Sequence, residues 1–332
     1  MKPRSPPMAP WAICGVLLAL LVVLFGVSLC AGRVWAPWSA WTSGGADPRW
    51  AIVFGLRLPR TILAILVGGA LGLSGAALQG YTRNPLADPG ALGVSAAAAL
   101  GAVLTLYLGA AGEAIWILPA AAMVGAGLGV AALLGLAGVT SSIVTFILAG
   151  FVIQTVCGSA IALALNLAPN PWAVNEIVNW TLGSLADRSV DEVKLAAPGI
   201  VAGGVLLLTL GRSLDALTLG EQGARSLGVD LSRTRLLMAI GVAVAVGSSV
   251  AVTGVISFVG LITPHLLRPL LGARPSAVLL PSFLGGAALT LAADILVRMT
   301  PAASEVKLSV AMAMLGGPFF LAMLISMRRR LA

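Results

Sequence analysis

The feature that constrains this chain most is the recurrence of long stretches without one charged side chain. They run Pro10 to Gly32, Thr61 to Thr82, Pro89 to Gly112, Ala114 to Asn175, Leu195 to Gly211, Leu236 to Leu267, Pro275 to Ala293 and Leu308 to Met327. A helix needs about 20 mostly apolar residues to cross a hydrocarbon layer of ~30 Å, so these are candidate spans. Two are too long for one helix. Ala114 to Asn175 is broken by Gly135, Gly138 and the polar Thr140-Ser141-Ser142, and Leu236 to Leu267 is interrupted at Thr253-Gly254. Each is expected to hold two segments, which gives ten. Only 10% of the residues are charged, against roughly 25% in soluble domains, so lipid must solvate most of the surface.

Parity supports the count. Lys2 and Arg4 precede the first span and Arg328, Arg329 and Arg330 follow the last, so both termini read as cytoplasmic and the number of crossings is even. That topology places 12 bases and 4 acids on the cytoplasmic face and 8 of each outside, so the net +8 sits on one side. The basic excess therefore signals membrane orientation rather than nucleic-acid binding. The first span, with Trp11 at its inner edge, is expected to be a retained helix rather than a secretory signal, because no convincing small-residue cleavage site follows it. A single membrane domain is expected to fill residues 1–332.

Glycine spacings such as Gly68-x-x-x-Gly72 and Gly125-x-x-x-Gly129 are expected to be packing contacts within the bundle. Cys14, Cys30 and Cys157 all fall in predicted spans and imply no disulfide framework. The outer connection from Asn175 to Asp191 is expected to form a short interfacial helix. Trp180 is expected at headgroup level, as are Trp35, Trp38, Trp41 and Trp50. The inner connection, residues 213–232, reads as a short helix with a stop. Glu221 and Arg225 stand four apart in the favourable order for an ion pair, Leu217, Ala224 and Leu227 can share one face, and Gly228 suits a C-terminal cap. Periodicity leaves a tether between spans and a docking element for another protein equally open.

No Gly-x-x-x-x-Gly-Lys-[Ser/Thr] phosphate loop occurs, so ATP and Mg, if used, belong to another subunit and no cofactor is expected on this chain. His265 is the only histidine and no cysteine or carboxylate cluster has metal-ligand spacing; neither a catalytic nor a metal site is expected. Span interiors are almost free of ionisable groups, which argues against an ion-coupled secondary transporter, the main alternative. Asp294 and Arg298, at an outer helix end, and His265 and Arg268, at an inner one, read by spacing as solvated helix termini.

Three blocks carry more. Arg57-Leu58-Pro59-Arg60, Gly68, Gly75, Gln79 and Arg83-Asn84-Pro85-Leu86-Ala87-Asp88-Pro89-Gly90-Ala91-Leu92-Gly93 form the first. The second is Leu219-Gly220-Glu221, Ala224-Arg225, Leu227-Gly228, Gly254-Val255-Ile256-Ser257-Phe258-Val259-Gly260-Leu261, Pro264-His265 and Arg268. The third is Ala293-Asp294-Ile295-Leu296-Val297-Arg298 with Gly316-Gly317-Pro318-Phe319-Phe320. In this order they resemble the FecCD permeases for iron-siderophore, heme and cobalamin uptake.

The resemblance implies an all-α, ten-helix permease of the type II ABC importer fold in the bacterial inner membrane. It implies a homodimer or close heterodimer, two cytoplasmic ATPase subunits and a periplasmic binding protein, with iron-siderophore the first substrate expected and heme or cobalamin next. It further implies that Arg57, Arg60 and Arg298 are exposed arginines that dock the binding protein. Leu219, Gly220, Glu221, Ala224, Arg225, Leu227 and Gly228 would belong to the coupling helix that meets the ATPase. Ser141, Ser142, Ile143 and Val144 would form the cytoplasmic gate, although Ser at that position is equally an ordinary N-cap. Asn84-Pro85 is assigned a turn, and His265 a structural role. Glu305-Val306-Lys307 departs from the family's Glu-Leu-Pro before the last helix, adding an outer charge.

Overall fold

The computed structural model describes residues 9–138, 142–272, 274–300 and 305–331, with side chains as far as residue 325. Helix α1 spans Pro10–Cys30; two short helices, α2 (Trp38–Trp41) and α3 (Arg49–Ala51), lead through a π-helical turn at Ile52–Arg57 into α4 (Leu58–Thr82). A 3-10 turn at Pro89–Leu92 precedes α5 (Val94–Tyr107), followed by α6 (Ile117–Ala137), α7 (Ile143–Asn166), α8 (Pro171–Thr181) and α9 (Val190–Thr209). Two short helices, α10 (Gly211–Leu217) and α11 (Gly220–Ser226), lead to α12 (Leu231–Thr253), α13 (Val259–Leu271), α14 (Pro275–Met299) and α15 (Leu308–Leu331).

Eight of these segments are long and apolar enough to cross a membrane, and α5 and α13 are shorter apolar helices, which together make the ten expected. Both long uncharged runs divide where expected. Helix α6 stops at Gly138 with φ +69°, and α12 stops at Gly254 with φ +71°, a left-handed region open to glycine but costly for other residues. Starts are equally local: the Ser142 hydroxyl accepts from the Thr145 N–H at 3.2 Å, and Ser189 and Glu192 form a reciprocal capping box on α9. Helix α8 starts at Pro171 under an Asn170 cap, so the expected interfacial helix exists and begins four residues earlier than its polar stretch suggested.

Helices α5 and α13 are short because the backbone preceding each is non-helical inside the bundle. A β-carbon on Gly75 of α4 would lie 2.0 Å from the Gly260 carbonyl oxygen, and one on Gly260 would lie 2.7 Å from Pro89. The 3-10 turn at Pro89–Leu92 thus sits well above the end of α4, level with the start of α13. From the opposite side, the Ser184 N–H donates to the Thr253 carbonyl at 2.8 Å. Irregular backbone at such depth is tolerated where protein or a cavity, not lipid, surrounds it.

The bundle centres on α4 and α12, where 83% and 78% of the apolar stretch is buried, against 28% in α1. Helices α4 and α14 cross with backbones touching: a β-carbon on Gly68 would fall 2.4 Å from the Gly286 carbonyl oxygen, and one on Gly72 2.2 Å from that of Ser282. Gly125 of α6 approaches the Ala97 carbonyl of α5 in the same way, so both glycine spacings are packing contacts. The rim is exposed and apolar, with Leu18, Val22, Val124, Leu128, Phe151, Val201 and Leu321 facing outward. Trp35, Trp38 and Trp50 are exposed as expected; Trp180 instead packs inward against Val103, Leu106 and Ile177.

Candidate functional site

Charge is concentrated at the two ends of the bundle. At one end the last turn of α1 meets the first of α4 and the last of α14; at the other, α10 and α11 lie beside the starts of α7, α12 and α14.

At the first end the expectation of exposed arginines is corrected. Arg57, Arg60 and Arg298 are only 7%, 8% and 7% accessible. The reason is the end of α1, whose last carbonyls lack partners within the helix. The π turn carries Arg57 against that end, where its Nη1 donates to the Leu29 and Cys30 carbonyls at 2.9 and 2.7 Å and its Nη2 to Val34. From α14, Arg298 donates to the Ser28 carbonyl at 3.0 Å and to the Ser28 hydroxyl. Two cations therefore cap the negative pole of one helix.

Asp294 is fully buried and pairs with Arg60 at 2.7 Å and Arg298 at 3.0 Å. It is not the solvated helix terminus that spacing suggested. Glu305 completes the network by accepting from Arg60. The group joins α1, α4, α14 and the approach to α15. Above it lies a pocket of about 220 Å³ lined by Arg33, Arg57, Arg60, Asp187, Arg188, Arg298 and Glu305. Sequence reasoning chose the arginines and missed their carboxylate partners; the scarcity of charge in this chain was the available signal, since an acid there has few places to go but onto a base.

At the other end the coupling segment is two helices, not one. Gly220, with φ +89°, separates α10 from α11, and Gly228, with φ +80°, ends α11 as expected. Leu217 and Ala224 are buried, but Leu227 is 63% exposed and Leu219 68%, so Leu227 does not share their face. Arg225 is also exposed. Among the described residues no ion pair joins Glu221 to Arg225; the Glu221 carboxylate instead accepts from the backbone N–H of Ile143, the first residue of α7, at 3.3 Å. This brings the coupling and gate residues together, with Ser142 acting as the N-cap and Val144 exposed. Ser141 lies outside the described residues.

Asp215 of α10 reaches the start of α14. It accepts from the Ser276 N–H at 2.8 Å and hydroxyl at 2.6 Å, and pairs with Arg274 at 2.7 Å. Partial burial pushes its carboxyl upward, but the Ser276 and Arg274 hydrogen bonds outweigh that and hold it below the ordinary carboxylate range. Asp230 caps α12 through the Arg233 N–H at 3.0 Å. All three acids of residues 213–232 thus serve helix N-termini. Nearby, Arg235 is buried and donates to the Tyr81 hydroxyl at 2.8 Å and the Gly138 carbonyl at 3.2 Å.

Between the ends, a cavity of about 480 Å³ opens where the two irregular segments meet, lined among others by Asp88, Ser95, Gln154, Thr181 and Ser257. Asn84 forms the expected turn, its side chain accepting from the Leu86 N–H at 2.9 Å. His265 stacks edge-on against Phe319.

Known proteins are similar to this chain over most of its length. The chain is 35% identical over 327 residues to the hemin transport system permease protein HmuU of Yersinia pestis, covering 97% of each. It is 35% identical over 318 residues to the vitamin B12 import system permease protein BtuC of Klebsiella pneumoniae, covering 95% of this chain and 94% of that one. A solved inward-facing conformation of an ABC transporter of metal-chelate type superposes with a TM-score of 0.85 at 28% identity, over 96% of this chain and 99% of that one. The family model described as the FecCD transport family matches residues 20–326, and the chain belongs to that family.

Proposed function

We propose that this multi-pass protein is the permease subunit of an ATP-driven ABC importer that moves a metal chelate from periplasm to cytoplasm across a bacterial inner membrane. The observation that carries this reading is the foot formed by α10 and α11. Its back is buried on the bundle while Leu219, Arg225 and Leu227 project, and the chain has no phosphate loop of its own. A greasy, basic tip of this kind suits a groove on an ATPase subunit that supplies ATP and Mg, and two such subunits would serve a pair of permeases. The basic excess at the foot end orients it toward the cytoplasm.

A second copy of this chain is the expected neighbour along α7. That helix leaves Gln154, Thr155, Gly158 and Ser159 exposed at mid-span, and polar groups there are better placed on a pathway between subunits than in lipid. The 480 Å³ cavity opens on the same side through Gln154. At the opposite end the arginine pocket suits an acidic side chain of a binding protein. Arg57, Arg60 and Arg298 would act from its floor, with Arg33 and Arg188 beside them. Since the relatives named above are hemin and vitamin B12 permeases, a metal macrocycle takes precedence over an iron-siderophore as cargo.

The deciding experiment is uptake by the assembled complex in proteoliposomes, with hemin, cyanocobalamin and a ferric siderophore offered separately. Stimulation of ATP hydrolysis by one of the first two is expected. Uptake by this subunit alone, driven by a sodium or proton gradient, would sink the proposal in favour of a secondary carrier.

A further inference from the structure

Helix caps are normally supplied by the residue at the helix's own entrance. Two spanning helices here break that habit at the foot end. Helix α7 has its own cap in Ser142, yet receives a second acceptor from Glu221, 78 residues further along the chain. Helix α14 begins at Arg274-Pro275 with no side-chain cap from its own entrance. Asp215, from 61 residues earlier, supplies the acceptor for its Ser276 N–H. Both carboxylates belong to the foot, one on each side of the Gly220 break.

We infer that Asp215 and Glu221 are positioning residues that bolt the foot to α14 and α7, so that movement of the foot is delivered to these two spanning helices as one rigid step. The inference rests on the reading of the foot as the ATPase contact. The physical reasons are charge and geometry. A carboxylate at a helix N-terminus meets unpaired N–H groups and the positive pole of the helix together. Such a bond is directional, so the foot cannot shift without either carrying the helix entrance with it or breaking the cap. Leu214 and Leu217 on α10 and Ala224 on α11 are fully buried or nearly so. That apolar contact holds the foot against the bundle but permits sliding; only the carboxylates fix it to particular helices. The two anchors also divide the load. Glu221 holds the entrance of α7, which exposes Gln154, Thr155 and Ser159, and Asp215 holds the helix whose far end carries Asp294 and Arg298. A push at the foot would then reach the arginine network along α14, over the helix length from Ser276 to Asp294.

The test uses the full permease assembled with its ATPase subunits, in a background where the three cysteines are replaced, with spin labels at Leu148 on α7 and Leu236 on α12. Adding ATP and vanadate is expected to change the label distance in the parent protein. In Glu221→Ala that change is expected to be lost, and hydrolysis-driven transport of hemin or cyanocobalamin reduced about tenfold, a size typical of lost coupling between sites. Glu221→Gln, which keeps an acceptor oxygen, is expected to restore most of the distance change. Asn170→Ala removes an ordinary local cap from α8 at the far end and controls for simple destabilisation; its distance change is expected to match the parent's. A full nucleotide-driven distance change in Glu221→Ala, or in the double variant with Asp215→Ala, overturns the inference. Failure of the parent permease to bind or stimulate any ATPase is a different outcome, and overturns the functional reading beneath it.

Discussion

The two ends of the bundle handle carboxylates in opposite ways. At the arginine end Asp294 is fully buried between two guanidiniums, and with Glu305 it forms a network that ties α1, α4, α14 and the entry to α15. At the foot end Asp215 and Glu221 are partly exposed, and each holds the entrance of one helix. Removing one partner of a buried pair leaves an uncompensated charge in a low-dielectric interior, whereas a lost surface cap is partly replaced by water. One end is therefore locked by a buried network, and the other is anchored helix by helix with a smaller stake in stability. That difference suits a machine in which a binding partner meets a fixed surface at one end and force enters through a movable part at the other.

The largest expected effect breaks this contrast if it is wrong. Asp294→Asn leaves Arg298 buried without a carboxylate and Arg60 with only Glu305, and is expected to destabilise the protein by about 3–5 kcal/mol, read from thermal unfolding in detergent; Glu305, 32% exposed at its side chain, should matter less on replacement by Gln. Next in size, Asp215→Ala is expected to cost about 1–2 kcal/mol, as for loss of a helix cap. A cost equal to that of Asp294→Asn would show that the foot is as locked as the other end. The smallest effect sharpens the comparison through pH. The Asp215 carboxyl is held below its ordinary range when folded, so its contribution is present above the unfolded value of about 3.9 and is lost as pH falls through the lower folded value. The stability difference between the parent and Asp215→Ala should therefore stay constant from about pH 8 to 5 and shrink only below about pH 4. Shrinkage near neutral pH would mean that the carboxylate is not held by Ser276 and Arg274.

The ten spans were legible because each is a local matter: an uncharged run, a capping serine or aspartate, a glycine with positive φ. Gly138 and Gly254 end their helices where composition said they would. The positions of interest were legible too, since Arg57, Arg60, Arg298 and residues 219–228 all fall at the two charged ends. Their surroundings were not. Arg57 was expected to face outward because the resemblance implied a docking arginine there, and nothing near it in sequence reveals that Leu29, Cys30 and Val34 present carbonyls to it. Glu221 was paired with Arg225 by helical spacing, but the break at Gly220 and the nearness of Ile143 give it a backbone donor instead.

What the sequence determined by itself is the membrane environment, the number of crossings and the gathering of most charge at two faces, because hydrophobic length and charge act residue by residue. Only the tertiary structure decided that Asp294 joins two arginines, that Phe258, at φ +69°, sits in the irregular entry to α13, and that the foot reaches α7 and α14. Each of these depends on which helix ends meet in space, and that is settled by backbone contacts such as Gly68 against Gly286, between residues too far apart in the chain for local pattern to register.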